Sequence, residues 1–168
     1  MPDAPSAPDE SSEVRPSEVR RSDADAHYAS ILGFDFGTKR IGAASGQAIT
    51  GTASPLAPIP ARDGIPDWVR LDALLDEWQP DALVVGLPLN MDDTESELSR
   101  LARKFARRLA ARYRKPVFLC DERLSSHAAR GLLKTVQEQR RGRLPSLDST
   151  AAALIAEAWL ADPRLVRP

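Results

Sequence analysis

Two hydrophobic periodicities divide the chain beyond its first 28 or so residues. Ile31-Leu32-Gly33-Phe34-Asp35-Phe36 is a short apolar run that reads as a strand, and Gly37-Thr38-Lys39-Arg40 reads as the tight turn closing it. Ile41 to Ser45, rich in short side chains, predicts a second strand, and Ile49 to Leu56 a third; short turns between them suggest an antiparallel meander. From Pro66 to Trp78 the period changes, with Trp68, Leu71, Leu74, Leu75 and Trp78 at helical spacing. Ala82 to Leu87 is apolar throughout, as a strand covered on both faces should be. A long helix is predicted over Thr94 to Arg114, a second buried strand over Pro116 to Cys120, and helices near Ser125 to Gln139 and Asp148 to Ala161.

That order, β-β-β-α-β-α-β-α-α, joins an antiparallel meander to parallel strands connected by right-handed crossovers. The expected architecture is an α/β domain of ribonuclease H-like type, with a mixed five-stranded sheet flanked by helices.

Length and composition narrow the class. The 168 residues suit one domain with a real core, and 42% hydrophobic against 28% charged residues is an ordinary globular balance. No apolar run reaches the roughly 18 residues of a membrane span, and Met1 to Val14 lacks the basic start and apolar stretch of a secretory signal, so no membrane partner is expected. Cys120 is the single cysteine, which excludes an internal disulfide or a multi-cysteine zinc site and suits a reducing, cytoplasmic setting. The net charge of -1 is unevenly spread: residues 1–29 carry -4 and the remainder +3. Residues 1–28, with Pro2, Pro5, Pro8 and Pro16 among Ser, Ala and acids, read as a disordered acidic extension, and 29–168 as the folded domain.

Chemistry enters through the acids. Asp35 interrupts an apolar strand, where an unpaired carboxylate is expensive. Asp121 and Glu122 follow the strand that ends at Cys120, at the edge where open α/β sheets carry their crevices. Alternation sends these two to opposite faces, so only one of them easily joins a shared site. Asp148 begins the last helix, where it would serve as a plain cap, yet Ala152, Ile155 and Trp159 share its helical face and turn it toward the sheet. Carboxylates converging at one sheet edge repel unless a cation intervenes, and an all-oxygen set favours Mg²⁺ or Mn²⁺. Such a centre suits phosphodiester hydrolysis.

Cations lie close by. Lys39 and Arg40 follow Asp35 in the turn, and Arg140-Arg141-Gly142-Arg143 forms a basic loop just before Asp148, so both are candidate backbone clamps. The Thr94–Arg114 helix sets Leu98, Leu101, Phe105 and Leu109 against a basic face of Arg100, Arg103, Lys104 and Arg107, flanked by Arg108, which would attract phosphates. Arg123 would pair with the acids or reach a phosphate, Ser125 opens a helix, and Asn90 lies in a loop bordering the crevice. Cys120 reads as core rather than nucleophile, and His127 as helix surface.

Four blocks carry a family resemblance: Leu32 to Gly42 (LGFDFGTKRIG), Val84 to Asp92 (VVGLPLNMD), Asp121 to Ser126 (DERLSS) and Leu147 to Ala152 (LDSTAA). In order and spacing they resemble the YqgF (RuvX) family, proteins described as pre-16S rRNA nucleases and as Holliday junction resolvases. The resemblance implies a ribonuclease H-like fold, cytoplasmic action in 5′-end maturation of ribosomal RNA, and Asp35, Glu122 and Asp148 as the catalytic, metal-holding acids. It leaves Lys39, Arg40, Asn90, Arg123, Ser125, Arg140, Arg141 and Arg143 as substrate contacts. Gly46 stands where the family usually has Asp, Asp93 where Gly is common, and Ser125-Ser126 replaces a Thr-Thr pair.

The expected substrate is a structured nucleic acid: precursor rRNA, with a ribosomal particle as a further partner, or a DNA junction. Metal hydrolysis reads the phosphate, so these acids do not separate RNA from DNA. A resolvase would need a symmetric dimer, whereas an RNA nuclease works as monomer or homodimer. Two other classes compete. A non-catalytic RNA-binding assembly factor would carry the same surface, and a phosphotransferase of the actin and sugar-kinase superfold would share Asp35-x-Gly37-Thr38 but needs two such lobes.

Overall fold

The computed structural model describes residues 27–89, 92, 94–122 and 146–168. Most of the expected acidic extension, the helix expected near Ser125 to Gln139, and His127 lie outside the described residues. The strands are β1 (Ser30–Asp35), β2 (Arg40–Gln47), β3 (Thr52–Arg62), β4 (Ile65–Pro66), β5 (Ala82–Leu87) and β6 (Val117–Asp121). The described helices are α1 (Trp68–Trp78), α2 (Glu97–Tyr113) and α3 (Leu147–Ala161). They build one mixed sheet in the order β4-β3-β2-β1-β5-β6. The pairs β1–β2, β2–β3 and β3–β4 are antiparallel, while β1–β5 and β5–β6 are parallel.

The sheet has six strands rather than the expected five. β3 begins later than expected and runs through Pro55, Pro58 and Pro60, leaving Ile49 94% exposed in the preceding turn. Prolines are tolerated because β3 is an edge over most of its length: β4 pairs only with Ala61 and Arg62. Asp63 and Gly64 both take positive φ, 50° and 81°, which suits a two-residue hairpin turn into β4. That turn also corrects the start of α1. Pro66 belongs to β4, and Asp67 caps the helix, its carboxylate accepting from the Val69 and Arg70 amides. α2 likewise starts after its expected first residue, where the Ser96 hydroxyl accepts from Ser99 N–H.

Alternation along the strands gives the sheet two faces. Leu32, Phe34, Leu83, Val85, Val117 and Leu119 pack beneath α1 and α2, against Leu71, Leu75, Phe105 and Leu109. Ile31, Val84, Phe118 and Cys120 face the other way, against Ile155, Ala156 and Trp159 of α3. Trp159 stacks on Phe118 with ring centroids 5.4 Å apart. No described helix is long and apolar enough to cross a membrane.

Candidate active site

Alternation in β1 puts Gly33 and Asp35 on the α3 side of the sheet, with Asp35 as the last residue of the strand, half-buried. Its partner across β2 is Gly42. There α3 comes down onto the sheet: a Cβ on Gly42 would stand 1.9 Å from the Asp148 carbonyl oxygen, so only glycine admits the helix at this height. The β2–β3 register shifts between Ile41 and Ala43, and Ala43 N–H donates to the buried Ser149 hydroxyl at 3.3 Å. Farther along, Ala53 N–H donates to Glu157 at 3.0 Å. α3 is therefore tied to the backbone of both β2 and β3. Its cap is Ser146, which accepts from Ser149 N–H, so Asp148 is free for another role.

Glu122 comes from the end of β6. A Cβ on Gly86 would stand 2.7 Å from its Oε1, so the glycine of β5 makes room for this carboxylate. Of the two candidate acids at the end of β6, Glu122 is the one that meets Asp35. Their carboxyls share a hydrogen bond, while Cβ alternation carries Asp121 away beside Leu87.

Three acids from three elements thus influence one point. Burial pushes the Asp35 carboxyl up to about 8, and the neighbouring Glu122 and then Asp148 add to the shift. Asp35 hydrogen-bonds to Glu122, and Asp148 turns to Arg40, whose guanidinium lies 3.6 Å away with its side chain 71% exposed. Among the described residues no trio of acids closes at ligand spacing around a single point. In this arrangement the like-charge repulsion is relieved by the hydrogen bond between Asp35 and Glu122 and by Arg40 beside Asp148. An all-carboxylate set short of positive charge fits a hard divalent cation, which would replace both.

Lys39 is exposed in the turn, and its carbonyl accepts from Ala61 N–H at 2.9 Å. Arg40 opens β2 beside Asp148. Asn90, Arg123, Ser125, Arg140, Arg141 and Arg143 lie outside the described residues. The basic face of α2 is not part of this centre, because α2 covers the opposite face of the sheet. Cys120 is buried, and desolvation pushes its thiol up to about 11, which suits core packing and not nucleophilic chemistry. Sequence reasoning missed Gly42, Gly86 and Ser149. The available signal was small residues in β2 and β5 facing the alanine-rich α3. At Gly46, a side chain would run into Ile31 and Leu160, so the departure from the family pattern matches local packing.

The family described as "RuvX: Holliday junction resolvase" matches residues 29–162. A relative from Chromohalobacter salexigens is 54% identical over 139 residues, covering 83% of this chain and 94% of its own. One from Pseudomonas aeruginosa PAO1 is 55% identical over 133 residues, covering 79% and 92%. Both carry the name "Putative pre-16S rRNA nuclease". Among solved structures, T. thermophilus RuvC in complex with a Holliday junction substrate superposes with a TM-score of 0.54 at 16% identity, over 79% of this chain and 94% of that one. A further Thermus thermophilus RuvC structure gives 0.50 at 15%, over 79% and 95%. At such identity these two show the shared fold, the ribonuclease H-like one. With a match spanning the described sheet and helices, and with relatives above half identity, this chain belongs to the RuvX family.

Proposed function

We propose that this chain is a divalent-cation-dependent endonuclease that hydrolyses phosphodiester bonds in structured RNA, with 5′-end maturation of pre-16S rRNA in the cytoplasm as its task. The observation that carries the reading is the approach of Asp35, Glu122 and Asp148 from three separate elements, where burial first, and then Glu122 and Asp148, push the Asp35 carboxyl up to about 8. The names of the close relatives support RNA as the substrate.

Asp35, Glu122 and Asp148 would hold the cation. When bound, Mg²⁺ or Mn²⁺ supplies Lewis-acid polarisation of the phosphoryl oxygens and lowers the pKa of water beside it. Asp35 must give up its proton for the site to load, so occupancy rises with pH through the neutral range. Arg40 then exchanges Asp148 for a non-bridging phosphate oxygen, a planar donor suited to that geometry, while Lys39 offers a point charge in the same turn. Gly37 keeps this turn tight: a Cβ there would stand 2.4 Å from the Arg40 carbonyl oxygen. Asn90, Arg123, Ser125, Arg140, Arg141 and Arg143 complete the proposed substrate contacts.

The test is cleavage of a precursor rRNA 5′-end transcript with Mg²⁺ or Mn²⁺, and with EDTA, beside a four-way DNA junction. Cutting of RNA that disappears in EDTA and in both Asp35→Asn and Asp148→Asn supports the proposal. The family's description favours the junction as a second reading, and preferential cutting of that substrate by a dimeric protein would establish it. Tight RNA binding without cutting, by a folded wild type, would replace the nuclease with an assembly factor.

A further inference from the structure

Helix α2 carries six basic residues and one acidic residue over its 17 positions, and its apolar side is fully used against the sheet. Arg100 is engaged by Glu97, Arg103 by Glu95, and Arg112 by Asp72 on α1. Lys104, Arg107 and Arg108, with Arg114 at the helix end, have no carboxylate partner among the described residues. Lys104 and Arg107 are exposed one turn apart on the helix, and Arg114, in the left-handed C-cap, is exposed just beyond its last turn. Three further cations therefore stand on the outer surface with no counter-charge among the described residues to hold them. Packing alone does not call for such a stripe, since alternating signs would solubilise the helix equally well and add i,i+4 support.

Its position gives the stripe its meaning. The carboxylates lie on the α3 face of the sheet and α2 on the other. A helix with its side chains is about 10–12 Å thick, so the outer face of α2 stands more than one helix diameter behind the candidate active site. A strand lying in the carboxylate crevice does not reach it.

We propose that the outer face of α2 is a second phosphate-binding surface, which grips a separate arm of a folded RNA while the carboxylates engage the strand to be cut. The proposal rests on the nuclease reading for the identity of its ligand, and it deepens that reading. The substrate is an RNA with structure on both sides of the protein, not a linear single strand. Phosphate is the complement of an uncompensated cation row, and the attraction is sequence-independent and salt-dependent.

The test uses the full chain and the triple variant Lys104→Gln, Arg107→Gln and Arg114→Gln, all exposed positions where substitution leaves stability within about 0.5 kcal/mol. Binding is measured in EDTA by fluorescence anisotropy across a salt series, with two probes: an RNA hairpin carrying a single-stranded arm, and that arm alone. The expected result is a loss of about tenfold or more for the hairpin, with a log K against log salt slope shallower by about 2–3, while the arm alone binds as before. An unchanged slope would overturn the proposal. Equal weakening of both probes would also overturn it, by placing these cations in the cleavage crevice. So would a variant that keeps RNA but loses anionic phosphatidylserine vesicles, which would make the stripe a lipid surface. Because binding is read without catalysis, the two ideas fail separately: a wild type that grips the hairpin through α2 but never cuts it defeats only the nuclease reading.

Discussion

Replacing Gly42 with alanine would put a methyl carbon 1.9 Å from the Asp148 carbonyl oxygen and 2.2 Å from its carbonyl carbon. An ordinary contact begins near 3.4 Å, so the first turn of α3 must rise from β2 by about 1.5 Å. Two consequences differ in size. Overpacking of this kind costs about 1–3 kcal/mol, which for a domain of this length lowers Tm by about 3–10 °C. Displacing one carboxylate by more than 1 Å from its partners costs a further factor of about 100 in catalysis, although no charged group has been touched. The assay pairs thermal melts, with and without Mg²⁺, with single-turnover RNA cleavage. The expected Gly42→Ala protein melts cooperatively, gains less from Mg²⁺ than wild type, and cleaves about 100-fold more slowly. A variant that folds, binds Mg²⁺ normally and cleaves within threefold of wild type would refute the claim that this contact sets the position of Asp148. Should Gly42→Ala fail to fold, Ser149→Ala tests the same tie without a clash.

The remaining expectations concern single groups. Ser149→Ala removes the acceptor for Ala43 N–H, leaving a buried donor unpaired at a cost of about 1–3 kcal/mol, and urea melts should show it as a lower midpoint with unchanged slope. Trp159→Ala empties a site where the ring is 2% exposed and stacked on Phe118; a loss of about 3–5 kcal/mol is expected, and a loss under 1 kcal/mol would mean that α3 collapses onto the gap. Asp35 has its folded pKa raised, to about 8, so the proton favours the native state. The stability it confers is complete below the ordinary carboxyl range near 4 and is lost as pH rises through 8. Calorimetry in EDTA should therefore show Tm falling over that window, with Asp35→Asn flattening the fall and Mg²⁺ reversing it; an unchanged slope in Asp35→Asn would assign the effect to other groups.

Much of this was legible along the chain. β1, β5 and β6 are continuous apolar runs whose ends can be read to within about a residue, because a strand buried on both faces leaves no polar position inside it. The inward face of α3 follows from Ala152, Ile155 and Trp159 at helical spacing, all buried as expected. The Asp63-Gly64 hairpin was equally readable, being a two-residue pair of the strongest turn type, yet the prolines of β3 obscured it. Local pattern thus determined the described elements except β4, together with their order, and singled out the candidate acids. What tertiary structure decided was who meets whom. A strand's two-residue period sends Asp121 and Glu122 to opposite faces but does not say which face carries the site; the hydrogen bond from Asp35 chooses Glu122. The same period could not show that α2, with its row of cations, lies behind the sheet. Nor could it show that Gly42 admits α3, because Ala43 and Ser149 are 106 residues apart in sequence and meet only when the helix lands on the sheet. Periodicity is a property of neighbours, whereas the burial and the like-charge repulsion that raise the Asp35 carboxyl exist only once distant segments have been packed together.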